Sequence, residues 1–225
     1  MVAAGVDIFV IRGTTVSAEH VSKNHEPLNL KQFIYELDVP VIVGGAAGYT
    51  PALHLMRTGA AGVLVGFGGG ATTTTRRALG IHSPMASAIS DVAAARRDYM
   101  DESGGRYVHV IADGGMGSSG DIVKAIAMGA DASCLAVHSL APKRHRAGGA
   151  GTGVLKHTTS NLPRGDRVNV GTVGPLEEVL FGPGHHTNGT SNLIGALRRS
   201  MATTGYSDLK EFQRVDVVVS PYAGN

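Results

Sequence analysis

The chain is 225 residues long, 43% hydrophobic and 17% charged, ordinary values for a globular protein with one sizeable core or two small ones. A formal net charge of +2 gives no electrostatic reason to expect nucleic-acid or membrane binding, and no apolar run is long enough to span a bilayer. The single cysteine, Cys134, rules out an internal disulfide and points to a reducing, cytoplasmic setting.

Short apolar runs appear in order at residues 6–11, 39–43, 61–65, 107–112 and 132–137. All but the last break at glycine: Gly13, Gly44-Gly45, Gly66 to Gly70, and Gly114-Gly115. Runs that are apolar at nearly every position suit strands buried on both faces, as in a parallel sheet. Between them lie helix patterns. Leu28, Leu30, Phe33, Ile34 and Leu37 recur at helical spacing. Thr50-Pro51 reads as a cap followed by proline in the first turn, with Gly59 as the stop. Residues 84–100 carry an apolar stripe at Ala88, Val92 and Ala95, and residues 121–128 end at Gly129. The alternation of strand and helix predicts an α/β fold with parallel strands.

Past Leu140 the pattern changes. Lys143 to Arg146 and the glycines of 148–153 read as a loop. Val168, Val170 and Val173 suggest a short strand or extended segment, residues 175–180 and 191–202 short helices, and 215–219 a last extended piece. The expected division is a core over 1–142 and a flap-like loop with a C-terminal extension packed on it over 143–225.

The stretch from Ile111 to Ala125 is the most informative. An apolar strand ends in one carboxylate, Asp113; glycines follow at 114, 115 and 117, and serines at 118 and 119 open a helix. Backbone N–H groups with no Cβ in the way, at the positive end of a helix, make an anion site. A carboxylate just before it suits sugar hydroxyls better than phosphate, so the pair suggests a nucleotide. The plainer alternative is an aspartate at a helix approach with no ligand. His157 and the His185-His186 pair lack ligand spacing with cysteine or carboxylate, so no zinc site is expected.

At this point the chain resembles the IMP dehydrogenase and GMP reductase family. Gly5-Val-Asp-Ile-Phe-Val-Ile resembles the family's fourth barrel strand and Val41-Ile-Val-Gly-Gly its fifth. Gly66-Phe-Gly-Gly-Gly-Ala-Thr-Thr-Thr-Thr-Arg76 resembles the loop of the catalytic cysteine. Ile111-Ala-Asp-Gly-Gly with Gly120-Asp-Ile-Val-Lys-Ala-Ile resembles the nucleotide strand and its helix, and Gly129-Ala-Asp leads into the eighth strand. The tail, including Arg164-Gly-Asp-Arg-Val and Gly171-Thr-Val-Gly-Pro-Leu-Glu-Glu, is most similar to the paralogue branch without the regulatory CBS pair.

The resemblance implies a TIM barrel, for which eight units take roughly 250 residues. About five units are expected here, strands four to eight, followed by a tail. Strands one to three are expected to be absent, through truncation or because another chain completes the barrel.

The resemblance also implies chemistry. In the family a cysteine attacks the purine at C2, hydride leaves to NAD and water releases the product, within guanine nucleotide synthesis. Thr73 stands at the cysteine position here and Ala71 at a serine that contacts the nucleotide. A threonine hydroxyl is far less acidic than a thiol and no base adjoins it, so turnover is expected to be absent or very weak. A threonine-rich loop that caps the next helix is the favoured reading of 72–75. Asp113 is implied to take the ribose, with Gly114 and Gly115 at the phosphate. Ala136-Val137 replaces the usual Gly-Ser phosphate anchor.

On the cofactor side Arg12, Thr14, Gly66 and Gly68 are implied. Arg12 occupies the place of an aspartate that binds the NAD ribose, and solvation or pairing with Glu19 is the plainer reading. Carbonyls of Gly68, Gly70 and Thr73 are implied for a monovalent cation such as K+. Arg144 falls where the family has a water-activating arginine, although a solvated basic loop is favoured. The implied ligands are IMP, XMP or GMP, and the implied assembly is a homo-oligomer. A GMP reductase-like enzyme and a catalytically silent nucleotide-binding or assembly subunit are the alternatives.

Overall fold

The computed structural model describes residues 5–12, 26, 28–67, 80–135, 156–158, 167–169 and 174–218. Five parallel strands alternate with helices: β1 Phe9–Arg12, α1 Leu30–Tyr35, β2 Val41–Ala46, α2 Tyr49–Arg57, β3 Gly62–Val65, α3 Met85–Glu102, β4 His109–Asp113, α4 Ser119–Ala127 and β5 Ala132–Cys134. The strands lie in sequence order, β1-β2-β3-β4-β5, so each β/α unit adds the next strand on the same side. This is the α/β, partial TIM-barrel architecture that the motif order implies.

The register decides which residues share a face, because side chains alternate along a strand. Arg12 pairs with Gly44, Gly44 with Leu64, Leu64 with Ile111 and Ile111 with Ala132. Two residues further on, Asp113 pairs with Cys134. Arg12, Leu64, Ile111, Asp113 and Cys134 therefore project from one face, and the alternate residues meet the helices. Val41, Val43, Val63, Val65, Val108, Val110 and Ala112 are buried there against Ala52, Met56, Ile89, Val92 and Ala95. Phe9 meets Phe33 of α1 edge-on at 5.6 Å between ring centres.

Several boundaries differ from the sequence reading. Helix α2 starts at Tyr49 with Gly48 as its cap, so Thr50 and Pro51 already lie inside the first turn. The α1 helix is shorter than the apolar pattern, since Leu28 precedes it and is exposed. Strand β5 ends at Cys134, and residues 136–137 lie outside the described set. Residues 215–218 carry no helix or strand, and Val219 lies outside the described set.

Beyond the sheet, β6 Lys156–Thr158 pairs antiparallel with β7 Arg167–Asn169. Helices α5 Leu176–Phe181, α6 Leu193–Thr203 and α7 Leu209–Phe212 follow. The α7 helix, which periodicity does not reveal, buries Phe212 in the same core as the sheet, with Leu197, Met201 and Leu209 packed beside it. Among the described residues, no helix is long and apolar enough to cross a membrane.

Two polar ends result. At the strand starts, Asp131 is 8% exposed and takes Arg96 at 2.7 Å, the Tyr107 hydroxyl at 2.6 Å and the Val110 amide at 2.9 Å, with Gln213 at 3.1 Å and Lys210 also bonded. That end of a β/α barrel is the one associated with stability; chemistry belongs to the opposite rim.

Candidate functional site

The opposite rim is built where the strands end. Glycines let the backbones crowd there: a Cβ on Gly44 would sit 2.5 Å from Cβ of Leu64, and one on Gly45 2.7 Å from the Gly66 carbonyl. Gly66 has φ +112° and faces the Asp113 carbonyl oxygen, which a Cβ would approach to 2.8 Å. Gly66 thus closes the turn after β3 against the tip of β4. It is a structural neighbour of Asp113 as well as an implied cofactor contact.

After Asp113 the chain turns through Gly114 (φ +107°) and Gly115 (φ +73°) into α4. Ser118 caps that helix: its Oγ accepts from the Asp121 amide at 3.3 Å, and Asp121 accepts from the Ser118 amide at 3.1 Å. This reciprocal capping box fixes where the helix begins. The Ser119 amide donates to the Gly189 carbonyl at 2.7 Å, so a segment ahead of α6 lies against the same helix end. Ser118 and Ser119 are therefore engaged by the protein itself. Among the described residues, the amides of Gly114, Gly115 and Gly117 have no hydrogen-bond partner, and Gly115 and Gly117 are exposed. The donors open to an anion belong to the glycine turn.

Arg12 has a partner at the rim that its plainer readings did not name. Its Nη2 lies 3.2 Å from Oδ2 of Asp113, with the arginine 56% and the aspartate 17% exposed. Glu19 lies outside the described residues. The reason is geometric: β1 and β4 are three strand spacings apart, about 14 Å along a sheet. Curling of the sheet shortens that span until a long arginine side chain bridges the rim. A guanidinium donates only. At this place it cannot take the accepting role that the resemblance implies for an aspartate there.

Cys134 sits in register beside Asp113 and is exposed, which the apolar run around it does not suggest. Partial burial and the Asp113 carboxylate push its thiol up, against a smaller opposing pull from Arg12. A thiol held in that direction is a weak nucleophile at neutral pH.

Arg12, Gly66, Asp113, Gly114 and Gly115 thus lie at one end of the sheet. Thr14, Gly68, Gly70, Ala71, Thr73, Ala136, Val137 and Arg144 lie outside the described residues. The Arg12–Asp113 pair and Cys134 beside it were not anticipated; the alternation of inward residues, carried through the parallel register, is the signal that could have placed Cys134.

A family model for the IMP dehydrogenase / GMP reductase domain matches residues 1–149. The chain belongs to the IMP dehydrogenase/GMP reductase family. An uncharacterized oxidoreductase of Mycolicibacterium smegmatis is 54% identical over 222 residues, covering 97% of this chain and 59% of that protein. The inosine-5'-monophosphate dehydrogenase of Methanocaldococcus jannaschii is 33% identical over 227 residues, covering 85% of this chain and 42% of the dehydrogenase. Among solved structures, an IMP dehydrogenase/GMP reductase-like protein from Corynebacterium glutamicum superposes with a TM-score of 0.81 at 49% identity. That match covers 97% of this chain and 57% of the other. The chain therefore spans less than two thirds of the length of these relatives.

Proposed function

We propose that this chain is an IMP dehydrogenase-like protein of guanine nucleotide metabolism that holds a purine mononucleotide (IMP, XMP or GMP) at the C-terminal rim of its sheet. Asp113 accepts hydrogen bonds from the ribose hydroxyls, and the amides of Gly114 and Gly115 face the phosphate. The observation that carries this is the tip of β4: a mostly buried carboxylate followed at once by the left-handed Gly114 and Gly115, whose amides are unbonded among the described residues, ahead of a capped helix start.

The ancestral reaction is NAD-dependent oxidation of IMP to XMP. In this chain it is impaired, because Thr73 replaces the cysteine and Arg12 replaces the acceptor for the cofactor ribose. These same two residues favour the second reading, a nucleotide-binding or assembly subunit without turnover. A GMP reductase-like activity needs the same cysteine and is disfavoured equally. A cytoplasmic, self-associating protein with a core over 1–142 and a docked extension over 143–225 completes the proposal.

Calorimetric titration with IMP, XMP and GMP, run beside an NADH-formation assay with IMP and NAD, tests it. Binding of at least one nucleotide with no measurable NADH is the expected outcome. Absence of binding by all three overturns the nucleotide reading, and NADH formation at a rate typical of enzymes, about 1 per second or faster, overturns the impairment.

A further inference from the structure

We propose that Arg12 is a latch on Asp113: the guanidinium occupies the carboxylate that a ribose diol needs, so a nucleotide enters this rim only by displacing it. The inference rests on the reading that Asp113 holds the pentose. It adds a specificity-determining residue that competes with the ligand instead of touching it.

Three features support it. The ion pair is direct, 3.2 Å between Nη2 and Oδ2, and Asp113 is the acidic member of the rim to which Arg12 reaches. The contact is to Oδ2 alone, and a guanidinium held there competes with a sugar hydroxyl that donates to the same oxygen. Arg12 itself is more than half exposed, so it swings into water at small cost once its partner is taken. A single-contact pair with its arginine open to water is weak enough to be displaced and strong enough to register in an affinity.

The latch penalises the diol in particular, and this separates it from the general attraction of a cation for phosphate. IMP and its 2',3'-dideoxy analogue carry the same phosphate and base, so the ratio of their affinities isolates the sugar hydroxyls. In Arg12→Gln the preference for IMP over the dideoxy analogue is expected to rise by about three- to fivefold, the scale of an ion pair with one solvent-exposed member. Arg12→Lys, which keeps the charge on a shorter-reaching, differently shaped head group, is expected to fall between. Raising the ionic strength with the unaltered protein should move its ratio toward that of Arg12→Gln, because salt screens the pair.

A ligand-independent reading accompanies this. Cys134 is the only cysteine, and Arg12 opposes the rise in its thiol pKa, so Arg12→Gln should slow its alkylation by iodoacetamide. An unchanged affinity ratio in Arg12→Gln, with IMP still bound, overturns the latch and leaves the nucleotide reading standing. A lower ratio shows that Arg12 helps to hold the diol and also overturns it. Failure of both proteins to bind IMP overturns the nucleotide reading and the latch with it.

Discussion

Replacing Asp131 by alanine is expected to lower the free energy of unfolding by about 3–5 kcal/mol, the cost of removing one partner of a buried ion pair. The carboxylate is 8% and the Arg96 side chain 9% exposed, so little water is available to take its place. Its loss strands the Arg96 guanidinium beside the Lys210 ammonium and takes acceptors from the Val110 amide, the Tyr107 hydroxyl and Gln213. Denaturant unfolding followed by circular dichroism measures the change. A loss below about 1 kcal/mol would show that the cluster behaves like a surface pair.

The same residue sets a pH dependence. Burial pushes the Asp131 carboxyl up, but bonds from Lys210, Tyr107, the Val110 amide and Gln213 outweigh it and hold the group at about 2. Because the folded value lies below the unfolded one, its contribution is complete above about pH 4 and disappears as the pH falls through 2. The displacement corresponds to about 2 kcal/mol. The unaltered protein should lose that amount across this interval in excess of Asp131→Ala. Parallel stability curves for the two proteins between pH 4 and 2 would contradict the assignment.

Phe212→Ala carries the second large effect. The ring is 2% exposed, meets Tyr206 edge-on at 5.9 Å and shares the core with the sheet and α4. Truncating a buried phenylalanine costs about 3–5 kcal/mol through lost transfer energy and the cavity left behind. A single cooperative transition with a lowered midpoint is the expected result by denaturant titration. A midpoint that does not move would mean that the helices after residue 175 contribute nothing to that core.

The strands were legible because burial on both faces makes them continuously apolar, a pattern that needs no knowledge of partners. Their ends were less so. Tyr49 starts α2 ahead of the Thr50-Pro51 pair, with Gly48 at the cap position, and Leu28 fits the stripe of α1 in period but precedes the helix and is 41% exposed. The α7 helix is only four residues long, too short for periodicity, although Asp208 capping a turn that carries Glu211 is a readable start signal.

At the functional rim, Asp113 and its glycines announce themselves by adjacency. The Arg12–Asp113 pair does not, since its members lie on strands separated by two others and meet only because the sheet curls. The Asp131 cluster is hidden for the same reason: its members come from α3, β4 and its approach, the start of β5, and α7 with its C-cap.

The most direct measurement of the central claim uses the lone thiol at the rim. Cys134 lies in register with Asp113, so a mononucleotide seated on that carboxylate covers it. Iodoacetamide labelling of Cys134 should slow saturably with increasing IMP, and Asp113→Ala should abolish that protection by weakening binding about 100-fold, the scale of two hydrogen bonds to a charged acceptor. Labelling that proceeds at the same rate with and without millimolar IMP, in a protein that is folded, would contradict a nucleotide site at the end of β4.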